Sequence, residues 1–308
     1  MKISIIGAGN VGSTIALRLL EAELGEVILV DIAKGLALAK ALDLQDSQYI
    51  QKKNFRIWAC EDIACIKDSD IVVVSAGIAR RPGMTREELL NTNGLILKEL
   101  CLKINELAQQ AIVIIVTNPL DLMTLLAFKL IGFPRSRIFG MGISLDASRL
   151  ANLIAKEVGV PIQDVEAYVI GSHGEGMLPI LRLCRVKNKK LEGLLDEDKK
   201  RQLVQMTINR GAQIVNLLGN GSAYFAPSAA VASLVEAVVK DEKRIIGVSA
   251  YLNGEYGLSD VCLGVMARIG RGGIEEIVDL GLNQSELQTL AQTAKRLKEQ
   301  FLIFQGLL

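Results

Sequence analysis

Hydrophobic positions change period repeatedly along this chain, and the changes mark out alternating strands and helices. Lys2-Ile3-Ser4-Ile5-Ile6 is a short apolar, β-branched run, and Val27-Ile28-Leu29-Val30 is a second. Between them Ile15, Leu19 and Ala22 recur at the spacing of one helix face. The alternation continues with a helix over 35–44, strands over 55–59 and 71–74, and a helix from 87 to about 109. A strand over 111–116, a helix over 120–130 and a short strand over 137–140 follow. The runs 71–74 and 111–116 are apolar at every position, which predicts strands buried on both faces of a parallel sheet. Six strands with helical crossovers predict a Rossmann-type doubly wound α/β domain over residues 1–141.

Beyond residue 141 the pattern changes. A helix is predicted over 146–158, a strand over 165–170, and a hairpin from 181–186 and 189–191 around Lys187-Asn188. Long helices over 196–218 and 226–239 precede strands over 244–252 and 261–269. A third short strand follows the Gly272-Gly273 turn, and a helix over 284–301 closes the chain. Strands and helices are segregated here, so residues 142–308 are expected to form an α+β substrate-binding and catalytic domain packed against the first.

Composition narrows the functional classes. Thirty-five basic against 34 acidic residues leave a formal charge of +1, which gives no electrostatic footprint for nucleic acid or a membrane surface. Mean hydropathy is high, at +0.33, yet the apolar runs are far too short to span a bilayer. The five cysteines include no CxxC pair and mostly lie in apolar settings. They are expected as buried free thiols in a reducing compartment. With a single histidine, a zinc site would need unusual ligands, and no metal is expected. The first strand begins at residue 2, so no leader is expected and the cytoplasm is the default location.

The first strand ends in Gly7-Ala8-Gly9-Asn10-Val11-Gly12 and the second in Asp31. Strand, glycine turn, helix, strand and terminal acid make the dinucleotide-binding βαβ unit. Gly7 permits a sharp exit from the strand, Gly9 has no Cβ to block a pyrophosphate, and Gly12 lets the helix lie close to the sheet. Free N–H groups and the dipole at the helix start suit a phosphate. Asp31, placed to accept hydrogen bonds from both ribose hydroxyls, would repel a 2′-phosphate, and Ile32 supplies no compensating cation. The expected cofactor is therefore NAD rather than NADP.

The sole histidine, His173, follows a predicted strand in Gly171-Ser172-His173-Gly174-Glu175-Gly176. An enzyme that moves a hydride from a hydroxylated carbon needs a group to take the hydroxyl proton, and histidine suits that work near neutral pH. Its partner would be a carboxylate that fixes the tautomer and stabilises the imidazolium. Asp146, in the first turn of a predicted helix, is a candidate, with Arg149 on the same helix face. The segment Ile78-Ala79-Arg80-Arg81-Pro82-Gly83-Met84-Thr85-Arg86 holds three arginines around a Pro-Gly turn, the composition of a functional lid.

These motifs, in this order, resemble the lactate/malate dehydrogenase superfamily, and within it the lactate-dehydrogenase-like malate dehydrogenases. The likeness runs through Gly7 to Gly12, Ser75-Ala76-Gly77 and its arginine loop, and Thr117-Asn118-Pro119. It continues in Leu145-Asp146-Ala147-Ser148-Arg149, Gly171-Ser172-His173-Gly174 and Gly221-Ser222-Ala223-Tyr224. The resemblance implies that His173 exchanges the proton, that Asp146 orients it, and that Arg149 grips the carboxylate beside the reacting carbon as a two-pronged pair. It implies that Arg86 polarises the carbonyl, that Asn118 and Ser222 contact substrate, and that Val116, Thr117, Asn118 and Asn93 meet the cofactor. Arg80 would neutralise the second carboxylate of a dicarboxylate such as malate, where a lactate enzyme carries a neutral residue. A second carboxylate buried without a cation would cost several kcal/mol. Arg81 stands next to it, but the count back from Arg86 favours Arg80. Gly174-Glu175-Gly176 departs from the Gly-Asp-Ser common in the family, losing a hydroxyl beside the site. The family also implies a homodimer or homotetramer. The alternatives are an L-lactate or other 2-hydroxy-acid dehydrogenase, or a non-catalytic nucleotide-binding protein.

Overall fold

The structure, a computed structural model, describes residues 1–78, 86–219 and 221–308, with the side chain of Arg86 outside that description. Six parallel strands form the first half. They are β1 (Lys2–Ile6), β2 (Glu26–Val30), β3 (Ile57–Cys60), β4 (Ile71–Val74), β5 (Ile112–Ile115) and β6 (Ile138–Gly140). They lie side by side as β3-β2-β1-β4-β5-β6, the doubly wound order expected from the sequence. Every residue of β4, β5 and β6 is buried, as their unbroken apolar runs require. Each Ile, Val or Phe side chain among them contributes about 1.5–3 kcal/mol by leaving water. The helices α1 (Asn10–Glu21), α2 (Leu36–Gln51), α3 (Arg86–Leu107) and α4 (Leu120–Ile131) supply the crossovers.

The chain reverses strand order at β1, with β2 on one side and β4 on the other. Ligands of such sheets enter the crevice beyond the carboxyl ends of the strands at this point. The ends of β1, β2, β4 and β5 therefore share one edge of the sheet.

The second half contains α5 (Ile143–Val158), β7 (Val165–Glu166), β8 (Val169–Gly171), β9 (Met177–Pro179), β10 (Arg185–Val186) and β11 (Lys189–Lys190). It continues with α6 (Glu197–Leu218), α7 (Phe225–Val239), β12 (Arg244–Asn253), β13 (Ser259–Gly270), β14 (Gly273–Ile277) and α8 (Gln284–Phe301). Instead of forming a separate layer, its long antiparallel strands prolong the first sheet: β12 pairs with β6 through Ser249↔Gly140 and Ala250↔Phe139. The result is one 11-stranded sheet running β3-β2-β1-β4-β5-β6-β12-β13-β8-β9, with β14 on β13. The predicted strand over 165–170 divides, because β7 joins a small sheet with β10 and β11 while β8 joins the large one. The expected hairpin is present but shorter than predicted, Arg185–Val186 against Lys189–Lys190, because Leu181–Leu183 forms a 3₁₀ turn instead of strand; its turn residues Lys187 and Asn188 both have positive φ.

The expectation that all five cysteines are free is overturned. Cys60 and Cys65 form a disulfide rather than two free thiols, while Cys101, Cys184 and Cys262 are free and buried. Cys60 ends β3 and a single 3₁₀ turn (Ile63–Ile66) folds the chain back. That brings the two Cα atoms within 6.5 Å, inside bonding reach. No helix among the described residues is long and apolar enough to cross a membrane.

Candidate active site

The glycine turn after β1 is fixed by close packing at two positions. Gly7 has φ +105°, which L side chains rarely adopt, and a Cβ there would lie 2.8 Å from the Ala76 nitrogen. A Cβ on Gly12 would come within 1.8 Å of the Gly7 carbonyl oxygen, so helix α1 can rest on the turn only without one. Gly9 differs, since an added Cβ would meet nothing within 4 Å. It caps α1 with no side-chain hydrogen bond, leaving the first N–H groups of that helix for an anion. Asn10 is exposed beside it, Val11 is half-buried and Ala8 is buried. The open cradle at Gly9 and the donors behind it fit a pyrophosphate.

Asp31 serves the turn as well as any ligand. Its Oδ2 accepts from the Ala8 N–H at 2.7 Å and its Oδ1 from the Ala33 N–H at 2.9 Å. Each carboxylate oxygen retains a further lone pair, which fits a ribose hydroxyl. Ile32 next to it is 94% exposed, so the rim beyond the acid holds an apolar side chain.

Hydrogen bonds then run across the strand ends. The Ser75 hydroxyl donates to the Gly7 carbonyl at 3.1 Å, and the Thr117 hydroxyl to the Ala76 carbonyl at 2.6 Å. Asn93, expected at the cofactor, is 2% exposed, and the partners of its amide are backbone groups. Its Oδ1 accepts from the Ile78 N–H at 2.8 Å, while its Nδ2 donates to the carbonyls of Ile78 and Asn118 at 3.3 and 3.1 Å. It therefore ties the loop after β4 to the loop after β5. Val116 and Thr117 are buried and Asn118 is exposed.

The histidine site is built from α5 and the loop after β8. Helix α5 begins at Ile143, earlier than its sequence pattern predicted, so Asp146 stands inside the first turn, fully buried. Its Oδ2 lies 2.7 Å from His173 Nδ1, and its Oδ1 accepts from Arg149 Nη1 at 2.9 Å. A carboxylate can only accept, so the Nδ1 proton stays on the ring and Nε2 is left for chemistry. Burial opposes charge on His173, but the charge and hydrogen bond of Asp146, with Asp121 adding to them, outweigh it. The net result is a pKa above the ordinary histidine value. Arg149 is nearly buried; a methyl at Gly211 of α6 would touch its guanidinium at 3.6 Å.

Sequence reasoning missed a second carboxylate. Asp121, in the first turn of α4, is buried. Its Oδ2 accepts from the Ser172 hydroxyl and the His173 backbone N–H, both at 2.8 Å, and its Oδ1 from the Ser249 hydroxyl at 2.6 Å. The available signal was a lone acid among the apolar residues of Leu120–Ile131, where Lys129 is the only other charge.

Arg80 and Arg81 lie outside the described residues, as does the side chain of Arg86. Ser222 is exposed shortly before α7, and among the described residues no hydrogen bond joins it to His173. What the structure does bring together is an imidazole whose Nε2 has no hydrogen-bond partner among the described residues, the acid that orients it and a neighbouring guanidinium. Chemically, this set can exchange a proton beside a bound anion.

Two family models match the chain: lactate/malate dehydrogenase, NAD binding domain, over residues 1–140, and lactate/malate dehydrogenase, alpha/beta C-terminal domain, over residues 143–302. The chain is 46% identical over 297 residues to a malate dehydrogenase of Methanosarcina acetivorans, covering 96% of this chain and 97% of that one. Its fold is similar to the apo malate dehydrogenase of Picrophilus torridus, with a TM-score of 0.95, 37% identity, and coverage of 99% and 98%. It is also similar to a lactate dehydrogenase of Eimeria maxima with NADH and oxamate, with a TM-score of 0.95, 34% identity, and coverage of 99% and 94%.

Proposed function

The chain belongs to the lactate/malate dehydrogenase family, and from that premise we propose an NAD-dependent malate dehydrogenase that interconverts (S)-malate and oxaloacetate. The observation that carries the mechanism is the hydrogen-bonded set His173–Asp146–Arg149. The cofactor is NAD, which supplies the hydride acceptor or donor when bound. Gly7, Ala8, Gly9, Asn10, Val11 and Gly12 hold its pyrophosphate, and Asp31 holds the adenosine ribose.

In oxidation, Nε2 of neutral His173 takes the substrate hydroxyl proton, and in reduction the imidazolium returns it. Asp146 keeps the other proton on Nδ1 and stabilises the positive ring. Arg149 pairs with the carboxylate next to the reacting carbon, using the guanidinium donors not committed to Asp146. We assign Arg86 to the carbonyl oxygen as negative charge grows on it, and Arg80 to the far carboxylate. Asn118 and Ser222 complete the substrate contacts, while Val116 and Thr117 line the nicotinamide. Asn93 acts on the cofactor through the loops it braces.

The test is NADH oxidation with oxaloacetate and with pyruvate. Oxaloacetate is expected to give the larger kcat/KM, and Arg80→Gln to move the ratio toward pyruvate by roughly 10- to 100-fold. Equal or better pyruvate turnover by the unaltered enzyme would sink the dicarboxylate assignment. Retention of tight NADH binding without turnover of any 2-oxo acid would favour a nucleotide-binding protein instead.

We further propose a homodimer or homotetramer. Along α2 only Ala37 and Ala41 are fully buried, whereas Leu38, Leu42, Tyr49 and Ile50 are at least half exposed. A helix with apolar side chains outward suits a second copy of the chain. Three unpaired buried thiols support a cytoplasmic setting, with the Cys60–Cys65 bond as the exception.

A further inference from the structure

We propose that Asp121 is a positioning residue for His173, its buried carboxylate holding the histidine's own backbone N–H and placing a second negative charge near the ring. The proposal rests on His173 being the proton carrier. Asp146 grips the ring from α5, in the second half of the chain. Asp121 grips the same residue by its main chain from α4, in the first half. The histidine loop, rich in glycine, has little stiffness of its own. A carboxylate bonded at once to the backbone of His173, to Ser172 and to Ser249 on β12 fixes where that loop sits.

The donors around Asp121 favour its charged form. The His173 N–H is a fixed donor, and the hydroxyls of Ser172 and Ser249 stand 2.8 and 2.6 Å from the two carboxylate oxygens. Three donors converge on an acceptor that is negative when ionised, and such bonds are the strong ones. Burial holds the Asp121 carboxyl above the ordinary aspartate value, and the hydrogen bonds from Ser249 and Ser172, with the His173 charge and N–H, oppose that push without reversing it. The charged and titratable groups facing the pair among the described residues are Asp146 and Arg149 on α5 and the Cys262 thiol on β13. Burial holds that thiol protonated. An ionised Asp121 thus adds to Asp146 in favouring the imidazolium, and Arg149 subtracts.

His173 is the only histidine in the chain, so its titration can be followed directly by NMR of the ring, without any substrate. In Asp121→Asn the His173 midpoint is expected to fall by roughly one pH unit. Above that midpoint, oxaloacetate reduction, which needs the protonated ring, falls about tenfold. Malate oxidation, which needs the neutral ring, keeps its rate to lower pH, and NADH affinity is unchanged. A residue that only held the loop would lower both directions without moving the midpoint, and an unmoved midpoint in a folded variant overturns the proposal. If Asp121→Asn does not fold, aspartate-selective carbon labelling of the unaltered protein decides. The buried Asp121 carboxyl must show an ionised shift at neutral pH and respond as His173 loses its proton; a neutral carboxyl overturns the proposal. Failure of the malate assignment would appear only in the substrate assay and leave the ring titration intact.

Discussion

Asp146→Asn removes one charge at the centre of the histidine site and almost no volume. Asp146 is fully buried and bonded at 2.7 Å to His173 and 2.9 Å to Arg149. An asparagine offers one oxygen and one NH₂ to two partners that both donate. If the oxygen serves Arg149, the NH₂ confronts His173 Nδ1, which must give up its proton and move it to Nε2, the nitrogen needed as base. If the oxygen serves His173, the NH₂ meets the guanidinium, donor to donor. Either way the imidazolium loses its counter-charge. Two unit charges about 4 Å apart at an effective dielectric near 20 interact by about 4 kcal/mol. The part lost is smaller, because the asparagine dipole and Asp121 remain. A loss of roughly 2–4 kcal/mol predicts a fall of about 30- to 1,000-fold in kcat/KM for oxaloacetate. Burial then acts on His173 with less opposition, so its pKa drops. Reduction, which needs the protonated ring, should fail at progressively lower pH. Steady-state NADH oxidation between pH 5.5 and 9 is the measurement (pH values about the ordinary histidine range). A variant within threefold of the parent across that range, with NADH still bound, would refute the role given to Asp146.

Two other tests concern the cofactor crevice. Gly12→Ala sets a methyl 1.8 Å from the Gly7 carbonyl and is expected to cost about 2–3 kcal/mol in thermal or denaturant unfolding. Gly9→Ala meets nothing within 4 Å; it should unfold like the parent yet bind NADH at least about tenfold more weakly, by fluorescence titration. Asp31→Asn keeps the side-chain volume and removes the charge, at the cost of one of the bonds from Ala8 and Ala33, whose N–H then faces the amide NH₂; the preference for NADH over NADPH should shrink by about tenfold. An unchanged preference would separate Asp31 from cofactor selection.

Much of this architecture was legible because local pattern and local structure agree. The runs that became β4 and β5 had no polar position to place in solvent, so burial on both faces was the only outcome. The helix over 284–301 has both ends where its pattern put them, and an Asn283–Glu286 capping box sets the first of them. The features that escaped depend on partners distant in sequence. Nothing in the periodicity of residues 138–140 or 244–253 says that these two strands pair. Equally, Val165–Glu166 and Val169–Gly171 read as one strand until their partners β10 and β13 claim them for different sheets. Cys60 and Cys65 meet because a 3₁₀ turn reverses the chain, which cysteine spacing alone does not reveal. Asp121 was hidden for a different reason. An acid in the first turn of a helix is ordinarily explained by the dipole, and only the fold places Ser172, His173 and Ser249 around it.

The joined sheet explains why the histidine can be held from two directions. Because β12 pairs directly with β6, Ser249 on β12 lies within hydrogen-bond reach of Asp121 on α4. Strand β13 on the far side of β12 positions Gly171 at the end of β8, two residues before His173. The imidazole is therefore referenced to the same sheet whose strands β1, β2, β4 and β5 end at the proposed nucleotide crevice. Misplacement by as little as about 1 Å can cost a hydride-transfer site two orders of magnitude in rate. A continuous sheet controls that distance better than two domains meeting through side chains alone, since backbone pairing sets the register of each strand in turn. On this argument, substitutions that loosen the β6–β12 junction, far from any substrate contact, should lower kcat more than they raise KM.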